Sequence, residues 1–304
     1  MADVWSMLKP RLAAFDAFLR EAVRLRLSDV PLVLAESLEY SLFAGGKRLR
    51  PMLCGLACEA AGGRFEDAFP AGVALELIHT YSLIHDDLPD MDDDDLRRGR
   101  PTCHMVFGNA LAILAGDALQ PMAFEVLASS YAPAVAAAMT RDLAAGCGPA
   151  GMVGGQVLDL IEDGRVNGEK NGTPVERLEA VHRRKTGALF RASLSLGASA
   201  AIRPDNPLTP SAKAWLDDYA MSFGLLFQIT DDLLDATGTE AATGKRTGKD
   251  AAKGKLTYPG LIGIAASRET AEQLANQCVA AAGRFGERGQ CLGDLARSMV
   301  ERST

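Results

Sequence analysis

The chain is poor in the residues that build sheets. Aromatics are 6% of its 304 residues, and no stretch alternates apolar and polar positions with period two, so no sheet is expected. It also lacks an excess of positive charge. Its 32 Lys+Arg against 39 Asp+Glu leave a net charge of -7, which argues against a general nucleic-acid binder while leaving room for local basic patches. No run of 18 or more apolar residues occurs, so no membrane-spanning helix is expected. The N-terminal Met1, Ala2, Asp3, Val4 and Trp5 lack the basic-then-apolar plan of a secretory signal, and Lys9 and Arg11 follow soon after. The six cysteines are scattered, at 54, 58, 103, 147, 278 and 291. Cys54 and Cys58 alone are close, and a pair is too few for a zinc site. Reduced packing thiols of a cytoplasmic protein are the expectation. What is present is an ordinary globular mix, 48% apolar and 23% charged, which excludes disorder as the main state.

The apolar period is helical almost throughout. Leu8, Leu12, Phe15, Phe18 and Leu19 recur at spacings of three and four, as do Leu75, Ile78, Ser82 and His85, and later Trp215, Tyr219, Phe223, Leu226 and Phe227. The pattern and its breakers predict helices over 3–25, 31–43, 51–61, 67–87, 103–129 (Gly116 a candidate break), 133–145, 150–163, 174–200, 210–236, 258–266, 269–284 and 290–302. Pro10, Pro31, Pro51 and Pro174 are placed near starts, where a missing N–H is tolerated. Gly62, Gly63 and Gly146 are placed at ends. Neither the charged stretch 88–102 nor the Gly/Lys-rich stretch 237–257 reads as a linker, because similar helical pattern flanks both. The expectation is one all-α domain spanning 1–304.

Two acidic clusters interrupt this pattern. Asp86, Asp87, Asp90, Asp92, Asp93, Asp94 and Asp95 crowd together, and Asp231, Asp232 and Asp235 lie far along the chain. Each ends an apolar helix instead of forming a polar tail. Two carboxylates about 4 Å apart repel by about 1 kcal/mol in water and about 4 kcal/mol at an effective dielectric near 20. A partly buried group therefore needs protons or cations, and all-oxygen ligands suit Mg²⁺, which takes one or two carboxylates plus substrate phosphate. Asp231 and Asp235 share a helical face.

Basic groups accompany both clusters. Arg97, Arg98 and Arg100 follow the first, and Gly45-Gly46-Lys47-Arg48-Leu49-Arg50-Pro51 delivers cations just before a helix start, a natural anion site. Lys185-Thr186 and the loop 244–255 add more. Arginine forks suit phosphate oxygens, and lysine adds a point charge. His79 lies two helical turns before Asp86, on the same face. Together these point to carboxylate clamps, a divalent metal and more than one phosphate group.

At these residues the chain resembles the trans-polyprenyl diphosphate synthases, and the bacterial farnesyl diphosphate synthase type in particular. The first motif reads Asp86-Asp87-Leu-Pro-Asp-Met-Asp92 followed by Arg97-Arg98-Gly99, and the second Asp231-Asp232-Leu-Leu-Asp235. Residues 45–51, Gly155-Gln-Val-Leu-Asp-Leu160, Lys185-Thr186, Phe227-Gln228 and Gly248-Lys-Asp…Lys255-Leu-Thr-Tyr258 fit too. The resemblance implies an isoprenoid-synthase bundle of antiparallel helices around a cavity, a homodimer, and three Mg²⁺ ions per site. It implies head-to-tail condensation of isopentenyl diphosphate with an allylic diphosphate. The allylic C–O bond ionises, the alkene attacks the cation, and the departing diphosphate takes the proton, so no protein base is needed. Pro89 makes a simple Asp86–Asp90 alignment unsafe. The five-residue step from Asp92 to Arg97 matches the family's step to its arginine pair, so Asp92 completes the motif.

Carried over by motif, Lys47, Arg50, His79 and Arg98 would hold isopentenyl diphosphate. Asp86, Asp92 and Asp231 would ligate Mg²⁺, with Asp87 and Asp235 assisting and Asp232 completing the catalytic set. Arg97, Lys185, Thr186, Gln228, Lys245 and Lys255 would hold the allylic diphosphate, although Arg246 and Lys249 compete with Lys245. In the family the fourth and fifth residues before the first motif govern product length. Here they are Ser82 and Tyr81, and this pair resembles enzymes making the C15 product. A geranylgeranyl (C20) synthase is the nearest alternative. A non-catalytic partner subunit would predict degraded motifs, and a terpene cyclase would not need the second diphosphate pocket that Lys47, Arg50 and the arginine pair supply.

Overall fold

The computed structural model describes residues 4–237 and 255–301. Helices dominate it: α1 Val4–Arg24, α2 Leu32–Leu42, α3 Leu49–Ala60, α4 Phe69–Asp86, α5 Cys103–Phe107, α6 Asn109–Ser130, α7 Pro133–Cys147, α8 Met152–Glu162, α9 Pro174–Val181, α10 Ala188–Ala200, α11 Pro210–Thr237, α12 Tyr258–Ile262, α13 Ile264–Gly283 and α14 Gln290–Glu301. The start of α9 shows how the sequence sets a boundary. Pro174 occupies the first turn, and Thr173 and Glu176 close a reciprocal capping box.

Four boundaries differ from the sequence pattern. The break in the 103–129 segment falls at Gly108, at φ 82°, while Gly116 stays inside α6. Its missing side chain is a packing device: a Cβ there would sit 2.1 Å from His85 Nε2. A second break falls at Gly263, also at positive φ, between α12 and α13. The 174–200 segment divides around a π-helical turn, His182–Gly187. Pro10 lies inside α1, which continues past it. The expectation of no strand also needs correction. Leu96–Arg97 (β1) pairs antiparallel with Arg100–Pro101 (β2). Arg98 and Gly99 at the tip both have positive φ, as a two-residue primed turn requires. Strands of two residues are too short to show alternation.

The helices pack as a circuit. α4 contacts α3 and α6, α6 contacts α7, α7 contacts α10, and α10 returns to α3. α11 joins through α10, and α13 and α14 back it. Inside, Leu53, Leu75, Leu77, Phe190, Tyr219 and Phe223 are essentially fully buried, each contributing about 1.5–3 kcal/mol. α6 is long and apolar enough to cross a membrane by length and composition, but it lies against α2, α4, α5 and α7. A core helix of a globular protein passes the same test. The six cysteines are all free thiols, five of them buried, as expected for packing residues.

Candidate active site

Both acidic clusters sit at the C-terminal ends of long helices, α4 and α11. There the unpaired carbonyls add negative potential. Carboxylates at such ends call for cations, and the chain supplies them. α8 brings Asp159 opposite the end of α4, and the π-helical turn inserts Lys185 between them. Lys185 Nζ donates to Asp159 Oδ2 at 2.7 Å and lies 4.0 Å from Asp86 Oδ2. α8 and the π turn approach closely at Gly155, where a Cβ would lie 2.1 Å from the Lys185 nitrogen. Burial works against the Lys185 ammonium, but Asp86, Asp159 and Asp92 outweigh it and hold its pKa above the ordinary lysine value. Asp86 is shifted up to about 6, chiefly by burial, with Lys185 opposing and Asp92 and Asp159 adding to the rise. Asp92 is half-buried, which pushes its pKa up, yet Lys255, Lys185 and Arg165 together hold it below the usual carboxylate range.

A cavity of about 250 Å³ lies beside this group, lined by Asp159, Lys185, Thr186, Gln228, Asp232 and Lys255 among others. Gln228, Asp231, Asp232 and Asp235 follow helical spacing, so the second cluster borders the space that Gln228 and Asp232 line. Lys255 joins the two clusters: it lines this cavity and its Nζ is 3.8 Å from Asp92 Oδ1. Asp232 is buried and accepts the Tyr258 backbone N–H at 2.9 Å, which fixes the segment carrying Lys255. The Tyr258 ring stacks on His182, 5.9 Å away, and its hydroxyl donates to Glu179. Asp231 is exposed and Asp235 half-buried.

Asp87 faces elsewhere. Both its oxygens accept from Arg97, at 2.6–2.9 Å. In this arrangement it anchors the β1–β2 hairpin, and Arg97 is engaged by it. The hairpin tip in turn places Arg98 over Gly46, so Arg98 and the Gly45–Arg50 loop form a cationic cluster. Arg48 turns inward at φ 45° onto Glu76 (2.6 Å), Asp16 (3.0 Å) and the Leu42 carbonyl. Lys47 is exposed and Arg50 half-buried. Arg50 Nε is shut off from solvent without a hydrogen-bond partner among the described residues, and the guanidinium lies 4.9 Å from the Phe190 ring centre. Burial and Arg98 push its pKa down to about 10 against the pull of Glu76. His79 is held well below the usual imidazole value by burial and by Arg50, Arg98, Arg97 and Arg48, so it is neutral at pH 7 and can donate only one N–H. His79 and Asp86 lie on the same helix, two turns apart, and Arg97 acts electrostatically on both, so the cationic cluster lies beside the carboxylate group.

Tyr81 is buried with its ring 5.8 Å from that of His85, and the Ser82 hydroxyl donates to the His79 carbonyl. Lys245 lies outside the described residues, as do Arg246 and Lys249. Asp159 and Tyr258 stood in matching motifs without a role, and Glu76 and Arg165 were not singled out. The spacing of Asp159, Glu162 and Asp163 on one face of α8 was the available signal.

Residues 31–287 match the polyprenyl synthetase family. The chain belongs to that family. It is accordingly a prenyltransferase with the helical isoprenoid-synthase fold. It is 42% identical to the farnesyl diphosphate synthase of Escherichia coli over 95% of each chain. It is 45% identical to the large subunit 1 of the chloroplastic heterodimeric geranylgeranyl pyrophosphate synthase of Arabidopsis thaliana, over 90% of this chain and 72% of that one. Among solved structures it resembles a FPP/GFPP synthase from Zymomonas mobilis, with TM-score 0.82, 35% identity, and 98% and 99% of the chains covered.

The oxygen-only donors at two helix C-termini fit a hard divalent cation. Among the described residues no three His, Cys, Asp or Glu side chains form a preformed cage. Asp86, Asp92 and Asp231 are the carboxylates that would hold such a cation, which typically takes one or two protein carboxylates.

Proposed function

We propose that this chain, as one catalytic domain, condenses isopentenyl diphosphate with dimethylallyl and then geranyl diphosphate to give the C15 product farnesyl diphosphate. The observation that carries the reading is the placing of a cationic cluster next to a carboxylate-lined cavity, two sites of opposite design. One is cationic, with the Arg50 guanidinium held beside Arg98 and a neutral His79. The other joins carboxylates to Lys185 and Lys255. The first suits a diphosphate that stays attached to its carbon chain. The second suits one that must leave.

In this reading Lys47, Arg50, His79 and Arg98 hold isopentenyl diphosphate. Lys185, Thr186, Gln228 and Lys255 orient the allylic diphosphate, with Arg97 completing that set when it leaves Asp87. Asp86, Asp92 and Asp231 hold Mg²⁺, assisted by Asp87 and Asp235, while Asp232 keeps Lys255 in place through Tyr258. Bound Mg²⁺ would supply Lewis-acid neutralisation of the leaving diphosphate. The isopentenyl double bond, held beside the allylic carbon, attacks the cation as it forms, and the departing diphosphate takes the proton. The exposed apolar residues Met105, Val106, Ile113 and Leu114 on α5 and α6 support a homodimer, and the reduced thiols support a cytoplasmic location.

Tyr81, bulky and buried one turn before the first acidic motif, favours C15. The likeness to plant geranylgeranyl pyrophosphate synthases favours a C20 product, the second reading. Purified protein incubated with Mg²⁺, isopentenyl diphosphate and each of the C5, C10 and C15 allylic diphosphates distinguishes them. The C15 reading expects the first two to be extended to C15 and the third left unchanged. Extension of the third to C20 would replace it with the C20 reading. Tyr81→Ala is expected to lengthen the product by one C5 unit, checked by chromatography of the hydrolysed prenols. An unchanged C15 product would place the floor elsewhere.

A further inference from the structure

Arg165 reaches the first acidic motif from outside the cavity. It follows Gly164 just after α8 and does not line the cavity itself. Its Nη1 donates to the Met91 carbonyl, and its Nη2 donates to Asp92 Oδ1 and Asp163 Oδ2, each at 3.0 Å. The guanidinium fork thus ties the turn after α4 to the end of α8, two segments more than 70 residues apart in sequence. That turn has its own backbone bonds, Met91 N to Leu88 O and Asp92 N to Asp86 O, both 2.8 Å. It also holds Asp93 at φ 53°, a left-handed conformation that an L-residue adopts at some cost. Arg165 grips this turn from outside the cavity, at Met91 and Asp92, while Lys255 lies 3.8 Å from the same Asp92 oxygen on the cavity side.

The tether also places a positive charge on an oxygen that the reading above gives to Mg²⁺. Lys185 and Lys255 are near Asp92 too, but they line the cavity and can stay there as partners of the diphosphate. Arg165 has no such second task. We propose that Arg165 is a positioning residue and a built-in competitor. In the metal-free chain it holds Asp92 in place, and it yields the Oδ1 oxygen as the divalent cation arrives. The Arg165–Asp92 pair is partly exposed, and exposed ion pairs are weak, so the exchange is easily reversed. The turn is thereby kept ordered without metal and without a preformed high-affinity site.

This inference rests on Asp92 being a metal ligand, so its test carries that control. Mg²⁺ alone, and Mg²⁺ with inorganic pyrophosphate, are titrated calorimetrically into the full chain and into Arg165→Met, Arg165→Lys and Asp92→Asn. Hydrogen exchange of amides 91–93 is followed without metal. Arg165→Met is expected to bind Mg²⁺ about fivefold more tightly and to exchange those amides faster. Arg165→Lys keeps the charge and loses the fork, so it is expected to bind Mg²⁺ as the parent does while exchanging faster. Parent-like Mg²⁺ affinity and exchange in Arg165→Met, with Mg²⁺ binding lost in Asp92→Asn, would overturn the inference alone. Weaker pyrophosphate binding in Arg165→Met at unchanged Mg²⁺ affinity would also overturn it, making the guanidinium a diphosphate ligand. Unimpaired Mg²⁺ binding in Asp92→Asn would overturn the metal assignment and the inference with it.

Discussion

The cationic cluster around Arg50 and the carboxylate cavity around Lys185 are, on the function proposed above, two answers to the same problem, holding a diphosphate beside a helical core. The first gathers Arg50, Arg98 and His79 with Glu76 as the nearby buried counter-charge. It is electron-poor before any ligand enters. The second places Asp86, Asp159 and Asp232 at or near helix C-termini, with lysines threaded between them. It gathers negative charge, and on the proposed function it would become an anion site once divalent cations join. On the proposed function, the difference assigns the two diphosphates their separate tasks. An anchor needs only donors, whereas a leaving group needs neutralisation that grows as the C–O bond breaks.

The largest effects should come from removing the carboxylates. Asp86→Ala or Asp231→Ala is expected to lower kcat by about a thousandfold or more, with the circular-dichroism melt retained. Near-normal turnover in either variant would break the contrast between the sites. Next comes Arg50→Met. It is expected to raise KM for isopentenyl diphosphate about a hundredfold, the loss of a charge-assisted fork, and to leave KM for geranyl diphosphate near its parent value. Steady-state kinetics with each substrate varied in turn checks this, and equal rises in both KM values would mean the sites are not separate.

A smaller effect concerns stability. The Asp86 pKa is raised from 3.8 to about 6 in the folded chain. The folded state therefore binds the extra proton between those values, and stability falls as pH rises through that window. Above it, the metal-free protein carries a buried charge. Asp86→Asn is expected to stabilise the metal-free chain by about 2 kcal/mol at pH 7.5, with the gain vanishing below pH 4. Urea melts at the two pH values, in the presence of a chelator, measure it. A destabilised variant at pH 7.5 would show that Lys185 outweighs burial at this carboxylate.

Much of this architecture was legible in the chain. Periodicity gave the long helices to within a few residues, because α4, α6 and α11 each bury a continuous apolar face. What it missed were breaks decided by tertiary contact. Gly116 looks like a helix breaker until His85 is seen filling the space beside it. The π turn at 182–187 has the composition of ordinary helix. In the site, charge type and order were readable but pairing was not. Asp86 and Asp87 are neighbours in sequence, yet one faces Lys185 and the other Arg97. Arg165 comes from a loop whose approach to Asp92 depends on how α8 packs, a matter of three-dimensional closure.

The division of labour between the sites is tested most directly by calorimetric binding of isopentenyl diphosphate and of a non-ionisable thio analogue of geranyl diphosphate, each with Mg²⁺ and with chelator. The account predicts that isopentenyl diphosphate binds with nearly the same affinity in both conditions, while the allylic analogue loses at least tenfold when Mg²⁺ is removed. Equal Mg²⁺ dependence for the two ligands would contradict it.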